Sequence, residues 1–330
     1  MADNEPIVVS TSLPTIHLDL LRSGDASESQ KLLGACQNQG FFYLDLSSDP
    51  ELCDLWKGML ARMKDYFDQP LDVKMQDDRS SDNYGYIPVG TEVGSKPETK
   101  DGYETLKFSR REYLKGSADL TTSVRSQADY FFSYIKEVHA ITLLVLTRLS
   151  TELGLTGPKR FEADHQDTAP SLSTLVLLHY PKHAEDPNAS PKNVGHLKHT
   201  DVSSLTMVLA EQWGLQLMSP ETKQWEFLEP RPQHAIVNVG DFLRFLSGGK
   251  LASIVHRVIP LRERQVEDRY SIAYFLRMND DATFEDLNGK TWTTKEWHDF
   301  KFDVFKSHVK MDTKAQFLTA MMEDGEKAAA

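Results

Sequence analysis

The stretch GHLKHTDVSSLT, residues 195–206, gathers His196, His199 and Asp201 just ahead of an apolar run. On an extended strand residues i and i+2 share a face, so His199 and Asp201 can aim an imidazole and a carboxylate at one point while Thr200 turns away. His196 lies three residues earlier, at the end of a Gly/Pro/Asn-rich approach loop whose backbone does not fix its direction, and it ranks below His199 as a donor. A third donor is expected from another strand facing the same interior, and SIVHRVIP supplies His256. Two imidazoles and one carboxylate on one face of a metal suit Fe(II) and leave positions open for further ligands. The lack of thiolates in this set weakens a structural-zinc reading. A second His-x-Asp pair, His165 and Asp167 in ADHQDTAP, has no strand around it and is expected to sit in a solvated loop.

Beyond His256, RYSIAYF puts Arg269 and Ser271 at i and i+2 of a further strand. A guanidinium grips a carboxylate through two parallel hydrogen bonds and a hydroxyl adds another, which describes a holder for the far end of a dicarboxylate such as 2-oxoglutarate. Arg269 could instead continue the exposed run RERQVEDR; Ser271 opening an apolar strand favours the inward orientation.

These residues need strands to carry them. From Ser173 onward, TLVLLHY, SLTMVLA, GLQLM, WEFLEP, HAIVNVG, SIVHRVIP and RYSIAYFLRM follow one another between Gly, Pro and Asn clusters. No helix among them is long enough for a parallel crossover, so an antiparallel sandwich or jelly roll is expected. The first half reads as mostly helical support. PTIHLDL alternates like an edge strand, a helix starts at Ser27 and stops at Gly40, FFYLDL returns as a strand, and apolar residues from Leu52 to Phe67 recur at helical spacing before Pro70. A longer helical region covers about Ser117 to Leu153, and a closing helix from about Thr294 to Met322 is expected to pack on the outside.

Composition excludes several classes. The 330 residues are 40% apolar and carry a formal charge of −12, so the basic footprint of a nucleic-acid binder is missing. Cys36 and Cys53 alone cannot build a disulfide framework, which fits a reducing compartment. The acidic N-terminus lacks a signal-peptide pattern, and VHAITLLVLTRL is too short to cross a bilayer, so a cytoplasmic protein with no membrane partner is expected.

HTDVSSLTMVL, GLQLM, VNVGDFLRFLSGGKLASIVHRV and RYSIAYF, in that order, together with PTIHLDL, GFFYL and GYIPVGTEV…DGYETLKF, resemble the isopenicillin N synthase-like 2-oxoglutarate/Fe(II)-dependent oxygenases over nearly the whole chain. The resemblance implies a mixed α/β fold with a double-stranded β-helix (jelly roll) core, a helical N-terminal support and a C-terminal helix. It divides one integrated catalytic domain into an N-terminal support with a mouth-covering segment (1–116), a long support helix region (117–156), the core (170–280) and a C-terminal helical extension (281–330). It implies that His199, Asp201 and His256 ligate Fe(II), that Arg269, Ser271 and Tyr180 bind 2-oxoglutarate, and that no catalytic residue is needed beyond the metal ligands.

Many relatives carry a polar amide where this chain has Leu178, which implies a sparser polar network around the cosubstrate. The His256-to-Arg269 spacing is also slightly long, with LRERQVED expected to absorb the excess in a hairpin. With O2 as co-reactant, the implied reaction releases succinate and CO2. It hydroxylates a small, partly apolar or aromatic metabolite, or desaturates, cyclises or ring-expands it through the same radical, and fungal secondary metabolism is the context most resembled. Phe275, Tyr84, Tyr86 and Tyr103 are the expected substrate contacts. Two alternatives stay open: an Fe(II) oxidase or other jelly-roll metalloenzyme using no 2-oxoglutarate, and an inactive small-molecule-binding relative. The oligomeric state is not legible.

Overall fold

Alternation of side chains along five long strands decides how the sheet is used. In the computed structural model, which describes residues 10–92, 99–116, 120, 122–183, 195–261, 265–306 and 315–320, Tyr270, Ile272, Tyr274 and Leu276 of the strand Arg269–Leu276 join one large core cluster. Leu175 and Leu177, Leu106 and Phe108, Leu205, Met207 and Leu209, and Ala235, Val237 and Val239 on the neighbouring strands join the same cluster. The intervening residues, Arg269, Ser271 and Phe275 among them, face the other way. An outer face packs on helices while the inner face is left for polar and aromatic side chains.

The sheet has eight strands in the order Thr15–His17, Phe41–Asp45, His234–Val239, Leu205–Ala210, Arg269–Leu276, Thr174–Tyr180, Glu104–Ser109 and Gly85–Ile87. All its pairings are antiparallel except the first. A second sheet runs His196–His199, His256–Val258, Leu215–Met218, Trp225–Phe227. Tyr43, Tyr180 and Ile236 of the first sheet meet Leu215, Leu217 and Val258 of the second in a shared apolar cluster, so the two inner faces close on one another as a jelly roll.

The 25-residue helix Ala128–Glu152 backs the large sheet. Phe131, Ile135, Val138, Ile141, Val145 and Leu149 recur every three to four positions on its buried side, and each such side chain contributes about 1.5–3 kcal/mol on burial. Its His139 Nδ1 meets the Tyr274 hydroxyl at 2.7 Å, tying helix to sheet. The helix Pro50–Phe67 begins with Pro at its first turn and with Asp49 accepting from the Leu52 amide at 3.0 Å.

Several expectations need correction. The edge strand of PTIHLDL stops at His17, and Leu18–Ser23 is helical. The next helix, Ala26–Asn38, is capped by Asp25 rather than Ser27, because the Asp25 carboxylate reaches the Glu28 amide at 2.8 Å. The C-terminal helix is described over Thr294–Lys306 and a short helix over Ala315–Leu318, with a turn at Thr319 and Ala320; residues 307–314 and 321–322 of the expected single helix lie outside the described residues. It does not merely coat the outside. The fully buried Lys301 ammonium donates to Asp241 Oδ2 at 2.6 Å and to Thr200 O and Oγ1 at 2.7 and 2.8 Å, drawing the helix down onto the His199–Asp201 segment. The hairpin expected in LRERQVED falls partly on residues 262–264, outside the described residues.

Of the second His-x-Asp pair, Asp167 is 57% exposed in a turn as expected, but His165 is not solvated. His165 is 5% exposed, with Nδ1 2.7 Å from Phe161 O and Nε2 2.9 Å from Ser204 Oγ, while Asp167 pairs with Arg110. Burial lowers the His165 pKa from 6.5 to about 4. The unfolded chain therefore binds this proton first as pH falls, and the stability contributed by the neutral ring is complete above about pH 6.5 and lost towards pH 4. Between pH 7 and 5 a His165→Gln protein should lose about 2 kcal/mol less urea-derived stability than the wild type. Asp101, pushed up to about 7 by burial, acts in the opposite sense but cancels in this comparison. Equal pH slopes for the two proteins would refute the assignment.

Candidate active site

His199 and His256 stand directly opposite one another on paired antiparallel strands. Asp201 lies two residues past the end of the His196–His199 strand, with its backbone carbonyl accepting from the Asp241 amide at 2.9 Å. Its Oδ1 is 3.4 Å from Nε2 of both histidines. His199 Nδ1 is 2.7 Å from Leu197 O and His256 Nδ1 is 3.1 Å from Ile254 O. A carbonyl can only accept, so each Nδ1 carries a proton and Nε2 is the ring atom turned towards Asp201, free to bind a metal once it is unprotonated.

One donor atom from each residue lies within 4.8 Å of the others, and all three residues are buried. Donors about 2.1 Å from a shared ion at right angles sit about 3 Å apart, so the set accepts a divalent ion with little movement. Burial opposes charge on Asp201, but the two imidazoles outweigh it and hold the carboxyl well below its usual range. Burial lowers the His199 pKa, whereas at His256 the Asp201 carboxylate overcomes burial and raises it.

Asn238, on the inner face of its strand, donates to Asp201 Oδ2 at 2.8 Å, leaving Oδ1 for the histidine side. An Asn inside the apolar run HAIVNV was the only sequence signal for it. Asn238→Leu should weaken Fe(II) affinity about 10- to 100-fold, read by equilibrium dialysis, because the carboxylate loses the bond that orients it.

Arg269 is 2% exposed and lies on the inner face of its strand, opposite in direction to Tyr270 and Ile272. Its Nε donates to Trp213 O at 3.0 Å and its Nη1 to Ser271 Oγ at 3.3 Å, and its Cζ lies 4.9 Å from the centre of the Tyr180 ring. Arg269 and Tyr180 are register partners on adjacent strands. Gly214, at φ +141°, permits this approach, since a Cβ there would stand 2.9 Å from Arg269 Nε. Among the described residues no carboxylate pairs with Arg269. A fully desolvated guanidinium with a free edge is a site for an anion.

A cavity is lined by His199, Asp201, Val176, Leu178, Phe275, Phe302 and Phe305, with Tyr103, Thr105, Lys107 and Arg277 on its polar side; Arg269, Ser271 and Tyr180 are not among its lining residues. His196 belongs to a strand, not a loop, and its ring stacks on His199 at 4.3 Å and meets Tyr103 at 4.8 Å. Burial, then the neighbouring histidines, hold His196 neutral. Of the four expected substrate contacts, Phe275 and Tyr103 line the cavity, and the Tyr103 hydroxyl donates to Glu92 Oε2 at 3.0 Å. Tyr86 does not: strand alternation turns it into the helical core, where its hydroxyl donates to Glu104. Tyr84 is 39% exposed and also stands away from the cavity. Phe302 and Phe305 were missed because their helix was expected on the outside.

Residues 171–278 match the 2OG-Fe(II) oxygenase superfamily, and residues 13–134 match the non-haem dioxygenase in morphine synthesis N-terminal region. The 2-oxoglutarate-dependent dioxygenase frbH of Dothideomycetidae sp. (strain 11243) is 46% identical over 94% of this chain and 96% of its own length. The 2-oxoglutarate-dependent dioxygenase gloE of Glarea lozoyensis is 42% identical over 96% of this chain and 95% of its own. The solved structure of dioxygenase for auxin oxidation 1 from Arabidopsis thaliana with 2-oxoglutarate superposes with a TM-score of 0.65 at 22% identity, over 82% of this chain and 94% of that one.

Proposed function

The chain belongs to the 2OG-Fe(II) oxygenase superfamily, and from that premise we propose that His199, Asp201 and His256 hold the ferrous ion while Arg269, Ser271 and Tyr180 hold 2-oxoglutarate. The enzyme is a 2-oxoglutarate-dependent dioxygenase; when bound at these residues, Fe(II) and 2-oxoglutarate would supply the O2-dependent oxidative chemistry, with 2-oxoglutarate leaving as succinate and CO2. The single observation that supports the residue assignment is the pair of Nδ1–carbonyl bonds that aim both histidine Nε2 atoms at Asp201 Oδ1.

The protein's own contribution is positional. The Leu197 and Ile254 carbonyls fix the imidazole tautomers, and Asn238 fixes the carboxylate. Arg269, itself anchored by Trp213 O, offers its free edge to the far carboxylate of 2-oxoglutarate, with Ser271 adding a hydroxyl and Tyr180 its ring. Phe275, Leu178, Phe302 and Phe305 exclude water from the side where substrate enters. Phe275 and Tyr103 are the substrate contacts retained from the sequence reading.

The substrate class is a small, partly apolar or aromatic metabolite. Support comes from the mixed aromatic and polar cavity lining, and a place in fungal secondary metabolism is proposed with it. The free, buried thiols of Cys36 and Cys53 suit a reducing, cytoplasmic setting. Among the described residues no helix is long and apolar enough to cross a membrane.

The test is anaerobic addition of Fe(II) and 2-oxoglutarate to the full chain, followed by O2 and a panel of metabolites. A visible charge-transfer band and substrate-dependent succinate release are expected, with product mass separating a gain of one oxygen from a loss of two hydrogens. Iron binding without band or succinate would favour an oxidase that does not use 2-oxoglutarate.

A further inference from the structure

Strand alternation continues past Phe275 to bring Arg277 onto the inner face, beside Lys107 and Thr105 of the strand Glu104–Ser109 and Thr174 of the strand between them. All four are buried: Arg277 is 4% exposed, Lys107 8%, Thr105 3% and Thr174 1%. Arg277 Nε donates to Val202 O at 2.6 Å, and Nη1 donates to Leu172 O and, at 3.2 Å, to Thr174 Oγ1; Nη2 has no acceptor among the described residues. Lys107 Nζ has three protons to donate and makes one hydrogen bond, to the Asp82 carbonyl at 3.1 Å. Thr105 Oγ1 is buried with no partner.

The acids nearby, Asp82 and Glu92, also line the cavity and have partners of their own. The Asp82 carboxylate pairs with Lys306 at 2.5 Å, and Glu92 accepts from Tyr103 at 3.0 Å. Among the described residues neither Lys107 nor Arg277 has an ion-pair partner. Burial disfavours the charge on Lys107, Glu92 and Asp82 support it, and Arg277 and Lys306 oppose it; at Arg277 burial is opposed by Asp201. Glu92, Asp82 and Asp201 offset part of this repulsion from the same cavity, but the donors of Lys107 and Arg277 and the Thr105 hydroxyl are left without enough acceptors, which an added carboxylate would supply. Val176, Leu178 and Phe275 stand beside them on the same sheet face, and Phe302 and Phe305 of the helix Thr294–Lys306 add apolar lining, with Arg277 Cζ 5.2 Å from the Phe275 ring centre and Lys107 Nζ 5.9 Å from that of Phe302.

We propose that the substrate is an amphipathic organic acid whose carboxylate sits between Lys107 and Arg277, accepting also from the Thr105 hydroxyl. Its apolar body lies along Phe275, Phe302 and Phe305, which directs a carbon towards His199 and Asp201. The inference rests on the reading of this cavity as the substrate side of the dioxygenase centre. It makes Lys107 and Arg277 determinants of specificity, distinct from Arg269, which serves the cosubstrate.

The test uses the full chain with Fe(II) and saturating 2-oxoglutarate under argon, so that added acids cannot occupy the Arg269 site. Phenylacetate, 3-phenylpropanoate and hexanoate are each compared with the corresponding neutral amide by equilibrium dialysis, while the charge-transfer band is recorded. At least one acid should bind about tenfold or more tightly than its amide. That preference should collapse in Lys107→Met and in Arg277→Gln with amide binding retained; Lys107→Met carries the test if Arg277→Gln fails to fold. If no acid outbinds its amide, or if the preference survives in the variants, the proposal is overturned. A normal band without acid preference overturns this inference alone, whereas acid preference without a band overturns only the cosubstrate assignment.

Discussion

His199→Ala and His256→Ala should each lose Fe(II) affinity by more than about a hundredfold and with it measurable succinate release, whereas His196→Ala should keep most of both. The three rings lie close together, and His196 stacks on His199 at 4.3 Å, so proximity alone would not separate them. Tautomer geometry does. His199 and His256 each commit Nδ1 to a backbone carbonyl and present Nε2 to Asp201 Oδ1 at 3.4 Å. His196 has no such pairing with Asp201, and its ring belongs to the cavity wall next to Tyr103. Its removal should register in substrate affinity rather than in metal content. Dialysis against Fe(II) under argon, followed by succinate measurement, reads both quantities, and equal metal loss in all three variants would show that the donor set is wrongly drawn.

The second large effect concerns Arg269. Hydrogen bonds to a charged group contribute about 1.5–3 kcal/mol each, and a two-pronged grip on a carboxylate involves two of them. Arg269→Ala should therefore raise the KM for 2-oxoglutarate at least about a hundredfold, with a smaller change in kcat at saturating cosubstrate. Arg269→Lys should recover only part of the loss. An ammonium is a point charge that cannot donate to Trp213 O and Ser271 Oγ while still presenting a planar edge to a ligand. Titration of the charge-transfer band with 2-oxoglutarate measures the binding arm directly. An unchanged KM in Arg269→Ala would remove this residue from the cosubstrate site, whatever its burial.

The buried polar residues show where reading the chain succeeds and where it stops. The convergence of His199, Asp201 and His256 was legible because all three sit in or next to short strands whose polar positions interrupt apolar runs. The inward turn of Arg269 and Ser271 follows the same period of two, with Tyr270 and Ile272 taking the helical side. The same rule fails at Tyr86. Nothing local says that Gly85–Ile87 pairs with Glu104–Ser109, nor which of its faces looks into the cavity. His165 was misjudged for a related reason: a polar neighbourhood in sequence became a buried one when the Ser204 hydroxyl, 39 residues away, closed over its ring.

By itself the sequence determined the alternation that sorts polar from apolar side chains along each strand, the apolar stripe of the long backing helix, and the residue types able to bind a metal and a dicarboxylate. Those are consequences of local geometry, readable within a few positions. Only the tertiary structure decided that Asn238 orients Asp201, that Lys301 draws Phe302 and Phe305 over the cavity, and that Lys107 and Arg277 from strands far apart in the chain share one buried space. Strand pairing and helix docking depend on total burial and on satisfying every desolvated polar group at once, and that balance is struck across the whole molecule rather than along any one segment.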